Sequence, residues 1–412
     1  MLSAPDVGER QAGRVHGRPG PEGRRRGEVE SVADGIRHRA NTGRSALPWT
    51  GPGADAAADA LRAAVRADPD YRPTPLHRRP GLARALGLGA VLVKDEGSRL
   101  AAEGLSSFKP VGAMGAFAHL AASGAAPPAR VVCASDGNFG RAVAWGARRA
   151  GIAATIFLPR TVSAGRVAAI RGFGAETVAV AGGYDRAMAA AAEAARAPGV
   201  LEMTDTGHGA VAAVPMAIQN AYGVIADEIL AALPAEAERP THVFVPAGVG
   251  GLVAGLLAAF DARLGAAAPA VVSVQPRVAS SLVDSLAAGA MCPAPELAGD
   301  TPATLMLCLA CETPSTTAWP VLQARLAHAL AIDDALAVAA MRRLAGPEDA
   351  PAITAGESGA AAMGALLGVC AEPALRRALG LTAQSRAVVL VTEGATDPEA
   401  YRRLVPSPGA AG

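Results

Sequence analysis

Lysine is almost missing from this chain. Of 38 basic residues only Lys94 and Lys109 are lysine; the rest are arginine. Arginine carries surface charge as well as lysine does, but it stays protonated and is no amine nucleophile. Lysine can lose its proton and condense with a carbonyl. A lysine that survives in such a composition is a candidate for amine chemistry, although chance also accounts for two leftovers. The surroundings of each must decide.

Other scarcities narrow the function. Neither charge sign dominates, since the net charge is +1, and this argues against an extended nucleic-acid or membrane surface. Arg24, Arg25 and Arg26 could touch nucleic acid, but Glu22, Glu28 and Glu30 flank them. No apolar run reaches the about 18 residues of a membrane span. No charged start with an apolar stretch and a small-residue cleavage site is present. The expectation is a soluble cytoplasmic protein that binds neither nucleic acid nor membrane. Aromatics make up 3 % of residues against 51 % hydrophobic residues overall, so the core must be built from small aliphatic side chains. The five cysteines are odd in number and irregular in spacing, which argues against a disulfide framework. Cys308 and Cys311 form a CxxC with no second pair or histidines at ligand spacing, so no metal is expected and a buried apolar role is favoured.

Residues 1–52 include "GRPGPEGRRRGEVE" and lack apolar periodicity. Such a segment buries too little surface to offset its ordering entropy and reads as a disordered tail. Beyond it, short apolar runs such as "AVLVKDE", "ARVVCAS", "ATIFLP", "ETVAVAGG", "THVFVPAG", "AVVSVQP" and "AVVLVTE" alternate with alanine-rich helical stretches. That alternation predicts an α/β protein with mostly parallel sheets covered by helices on both faces. The number of units suggests two such sheets.

Ligands of open parallel sheets bind at the carboxyl ends of strands, so the strand-to-helix turns matter most. In "FVPAGVGGLVAG" a strand ends in Gly248, Val249, Gly250 and Gly251 before a helix. Glycines let backbone N–H groups converge there and cradle a phosphate. A dinucleotide fingerprint fails because Val253 stands where the third glycine belongs. In "ASDGNFGRAVAW", Asp136, Gly137, Asn138 and Gly140 crowd one turn, more than a helix cap requires. Lys109 itself follows "GLSSF" at a helix start, where positive potential favours the neutral amine. Lysine, cradle and amide together suggest pyridoxal phosphate, with its aldehyde, phosphate and phenolic oxygen. Thr392, in "LVTEG", is placed to meet the ring nitrogen.

These residues resemble the fold-type II pyridoxal phosphate enzymes, and within them the diaminopropionate ammonia-lyase branch. The likeness runs from about residue 60 to 405, through "YRPTPL", "VLVKDEGSR", "GLSSFK", "SDGNFGRAVAW", "RVAAIRGFGAE", "DTGHGAVAAVP", "PAGVGGLVAG", "CLACETPS", "ITAGESGA" and "VTEGATD". It implies a two-domain, three-layer α/β/α fold, with residues 53–109 and 216–412 forming a large cofactor-binding domain and residues 110–215 a smaller inserted one. It implies that Lys109 bonds the cofactor aldehyde and that Asn138 lies beside the phenolic oxygen. Gly248, Val249, Gly250 and Gly251 would hold the phosphate, with Phe108 and Leu252 counted among the cofactor contacts. Asp136 and Asp205 match two acidic residues that bind and deprotonate substrate, and Glu357 matches a motif lining the cofactor region. A homodimer is implied as well.

The chain departs from the branch at Phe139, where the family carries His, and at Ser106, where it carries Asn. Both leave the catalytic skeleton intact and put substrate choice in question. The expected reaction is α,β-elimination of 2,3-diaminopropionate to pyruvate and two ammonia. The alternative is a serine or threonine dehydratase, or a β-replacement enzyme, on the same scaffold. A non-catalytic binding protein would have lost the lysine or the cradle, and both are present. Lys94, beside Asp95, Glu96 and Arg99, is expected to serve a structural ion pair.

Overall fold

The computed structural model describes residues 30–33, 35–135, 137–294 and 304–406. Twelve strands among them form two sheets. They are β1 (Glu30–Ala33), β2 (Ile36–Ala40), β3 (Leu76–Arg78), β4 (Ala90–Asp95), β5 (Arg130–Ala134), β6 (Ala153–Pro159), β7 (Glu176–Val180), β8 (Val200–Glu202), β9 (His242–Pro246), β10 (Ala270–Pro276), β11 (His328–Ile332) and β12 (Arg386–Val391). The larger sheet runs β1-β2-β11-β10-β9-β12-β4-β3 and the smaller one β7-β6-β5-β8. The five central strands of the larger sheet are mutually parallel, with antiparallel β2 and β3 flanking them. All four strands of the smaller sheet are parallel. This is the α/β architecture that the alternating pattern predicts.

The period of two along each strand divides the core into layers. Val243 and Val245 of β9, with Val388 and Leu390 of β12, pack into one cluster, which also takes in Val131, Cys133 and Ile156 from the smaller sheet. Their neighbours Phe244, Val389 and Val391 point the other way, into a second cluster with Met341, Met363 and Leu366. Both faces of the larger sheet are thus covered, and each buried Val or Leu contributes about 1.5–3 kcal/mol.

The segment expected to be a disordered tail through residue 52 is a correction. Residues 1–29, with Arg24, Arg25 and Arg26, lie outside the described residues. Those from 36 onward fold. In β2, Ile36 is buried and the strand pairs with β11. Arg325 then donates to the carbonyls of Ser45 and Leu47 at 2.5 and 2.9 Å, and the Trp49 backbone N–H donates to Asp261 at 2.8 Å. "IRHRA" carries little apolar signal of its own; it is held because β11 offers it an edge.

Lys94 lies in a buried polar knot. Its amine donates to the Thr74 carbonyl at 2.7 Å and to the Glu228 carboxylate, and it lies 3.5 Å from Glu96. Arg99 pairs with Glu96 at 2.5 Å and with Glu228 at 2.8 Å. Tyr71 donates to Glu228 at 2.7 Å. Burial alone works against the Glu96 carboxylate, yet Arg99 and Lys94 outweigh it and hold its pKa below the usual range. Two cations face two anions, so the knot is neutral. It ties the end of β4 to the long helix Ala213–Ala232. Lys94→Met would leave an uncompensated buried carboxylate and should cost about 3–5 kcal/mol, read as a lower urea midpoint with unchanged slope.

Candidate active site

The carboxyl ends of β5, β8, β9 and β12 deliver their turns to one cavity. Phe108, Lys109, Asn138, Asp205, Gly248, Val249, Gly250, Gly251, Leu252 and Thr392 all line it. They come from positions spread over nearly three hundred residues. Asp136 lies outside the described residues.

Lys109 is the first residue of the helix Lys109–Ala122. An antiparallel bridge joins the preceding Ser107 to Glu393, beyond β12. The Phe108 N–H donates to the Thr392 carbonyl at 3.1 Å, and the Gly394 N–H donates to the Ser106 carbonyl at 2.9 Å. These bonds fix the lysine beside Thr392. Its ammonium donates to Asp205 Oδ2 at 2.5 Å and sits 4.9 Å from the Phe108 ring and 5.4 Å from the Phe139 ring.

That pair corrects the expectation of a neutral amine. Burial does push Lys109 toward neutrality, but the Asp205 carboxylate and the hydrogen bond to it outweigh burial and raise its pKa well above the ordinary lysine value of 10.5. The contribution of the pair to folding is therefore complete below about pH 10.5 and fades above it.

The glycine turn fits a phosphate. Gly250 has φ +94° at the start of the helix Gly251–Leu264, and a Cβ there would fall 2.6 Å from Leu322 Cδ1. Only glycine suits that position. The first-turn N–H groups of this helix have no acceptor within it, and Gly251, Leu252 and Val253 of that turn line the cavity. Asn138 opens the helix Asn138–Ala150, after a turn in which Ser135 Oγ accepts from the N–H groups of Gly137 and Gly140 at 2.9 and 2.7 Å.

Sequence reasoning missed some of the residues that line the site. Glu357 is not among the lining residues; its neighbour Ser358 is. Burial, with Glu393 nearby, raises the Glu357 pKa. Glu393 lines the cavity instead, accepting from the Asn138 amide and from the Ser358 N–H at 3.2 Å. It stands next to Thr392 in "LVTEG", so the motif held the signal. Cys308 and Cys311, expected to be buried and apolar, both line the cavity, and Cys308 Sγ lies 3.6 Å from Asn138 Nδ2 and from Glu393 Oε2. Tyr184 and Tyr222 line it too. Among the described residues, no three His, Cys, Asp or Glu side chains are grouped to hold a metal ion, and no helix is long and apolar enough to cross a membrane.

A lysine, a glycine cradle at a helix start and an amide on one cavity define an enzyme that works through a phosphorylated carbonyl cofactor. Comparison with known proteins agrees. Residues 67–393 match the family described as pyridoxal-phosphate dependent enzyme. Diaminopropionate ammonia-lyase of Escherichia coli K12 is 31 % identical over 81 % of this chain and 87 % of its own. The Salmonella typhimurium enzyme of the same name is 32 % identical over 82 % and 89 %. The solved Escherichia coli structure in complex with an aminoacrylate-PLP azomethine reaction intermediate superposes with a TM-score of 0.80, at 29 % identity over 90 % of this chain and 96 % of that one. The chain belongs to the pyridoxal-phosphate dependent enzymes and, within them, to the diaminopropionate ammonia-lyase family. Its cofactor is pyridoxal phosphate, and the cradle and lysine fit that group.

Two outcomes follow from this geometry. Asp205→Asn removes the anion that holds Lys109 charged. At pH 8 the cofactor-free amine should react at least about tenfold faster with an amine-directed reagent, one pKa unit being tenfold in neutral amine. Mass spectrometry can assign the adduct, because Lys94 is the chain's one other lysine. Ser106 has φ +46°, a region that Asn tolerates better than Ser. Ser106→Asn should raise stability by about 0.5–1 kcal/mol, seen as a higher melting temperature.

Proposed function

We propose that this protein converts 2,3-diaminopropionate and water to pyruvate and two ammonia by α,β-elimination. The observation that carries this reading is Asp205, mostly buried and paired with Lys109 on the cofactor cavity. A carboxylate in that place can hold a second ammonium, and a diamino acid brings one. A hydroxy amino acid does not.

When bound, the cofactor supplies an electron sink for the substrate α-carbon. The protein does the rest. The N–H groups of Gly248, Val249, Gly250, Gly251 and Leu252 would hold the cofactor phosphate. Phe108 and Asn138 would position its ring and phenolic oxygen, and Thr392 would meet its ring nitrogen. Lys109 would take or return a proton at the substrate α-carbon. Asp136, assigned from sequence alone, is the other base. Asp205 holds the β-ammonium until that nitrogen leaves as ammonia. The three-carbon product then hydrolyses, releasing pyruvate and the second ammonia. Phe139 replaces a titratable imidazole with an apolar ring, so proton traffic is left to the lysine and the carboxylates. A homodimer is the assembly that the family resemblance implies, and the cytoplasm is the location expected from the sequence's lack of secretory and membrane-span patterns.

An absorption spectrum of the purified protein, taken before and after adding 2,3-diaminopropionate, tests this. The expected result is a cofactor band near about 410–420 nm and turnover giving two ammonia per pyruvate. Lys109→Ala should lose the band and at least about 10³-fold of the rate. One ammonia per pyruvate from serine, with none from the diamino acid, would instead make it a dehydratase.

A further inference from the structure

Tyr222 takes no part in the chemistry above, yet it lines the same cavity. It sits on the helix Ala213–Ala232 and is 2 % exposed. Its hydroxyl has no hydrogen-bond partner. The ring packs tilted against Phe108, with centroids 4.9 Å apart. Its Oη lies 2.7 Å from where a Cβ on Gly112 would stand, one helical turn along from Lys109. The absence of a side chain at 112 is what lets the phenol reach the lysine helix.

A buried hydroxyl without a partner loses its hydration and gains nothing. Phenylalanine would fill the same space without that loss. Burial raises the phenol pKa; Lys109 opposes the rise and Asp205 adds to it. The group therefore keeps its proton and acts as a neutral donor. Lys109 and Asp205 already satisfy each other. The acceptor this donor lacks must come from what enters the cavity, and both a phosphorylated cofactor and an amino acid carry anionic oxygens there.

We propose that the Tyr222 hydroxyl donates a hydrogen bond to an anionic oxygen of the bound ligand, either a phosphate oxygen of the cofactor or the carboxylate of the amino acid. The proposal rests on the functional reading above. It makes Tyr222 a ligand-binding residue rather than a packing one.

Tyr222→Phe tests it. The cofactor-free variant should melt at or above the native temperature, because the orphaned group is gone, and this also establishes that it folds. Pyridoxal phosphate is then titrated by absorbance, and KM and kcat are measured with 2,3-diaminopropionate. A phosphate contact raises the cofactor Kd about tenfold, the expected scale for a lost hydrogen bond to a charged group. It also weakens the protection that inorganic phosphate gives the cofactor-free protein against melting. A carboxylate contact leaves cofactor Kd within twofold and raises KM about tenfold, with a smaller change in kcat. Either result supports the proposal. Unchanged Kd and KM overturn it, whatever the melting temperature does. The native protein run alongside separates the failures. If the native chain binds no pyridoxal phosphate, the functional reading falls and this inference with it. If the native chain binds and the variant matches it, this inference falls alone.

Discussion

Lys109 and Asp205 meet although one follows a loop pinned to the larger sheet and the other follows a strand of the smaller one. Their ion pair is the point at which the two sheets share a chemical task. A buried ammonium is costly without a partner, and a buried carboxylate equally so. Each therefore constrains the other at the cavity that both line. The pair also sets the resting charge of the amine. Burial and the helix start both favour the neutral form, but a carboxylate in direct contact outweighs them.

Parallel strands make that meeting possible. Their carboxyl ends share an edge, so each turn into a helix opens on the same side. The helices that start there carry unsatisfied N–H groups, and a phosphate answers them. Where close approach is needed, the chain uses glycine: Gly250 under Leu322, and Gly112 under the Tyr222 hydroxyl. The aromatic residues, few in number, are concentrated here. Phe108, Phe139, Tyr184 and Tyr222 all line the cavity, where flat, rigid rings give contact area at low entropy cost.

The two lysines show how burial separates roles. Lys94 sits in a neutral knot of Glu96, Arg99 and Glu228, away from the cavity lining, and its work is structural. Lys109 has one carboxylate partner and an open space beside it. Both are paired, but only Lys109 can exchange its partner for something that diffuses in.

Much of this was legible beforehand. The alternation of short apolar runs with helical stretches named the fold class, because side-chain period follows backbone geometry locally. The lysine, the glycine turn and the Asn turn stood out, because their chemistry is written in residue type and local spacing. The edge strand β2, the place of Glu393 and the cysteines, and the orphaned Tyr222 hydroxyl were not legible. Each depends on which distant segments pack together. "IRHRA" is a strand only because β11 lies alongside it, and Tyr222 faces the cavity only because Gly112 lets it approach. Residue types and their local order determined the architecture and the cofactor chemistry. Tertiary packing alone decided the charge state of Lys109, since a field from a residue ninety-six positions away has no local signature.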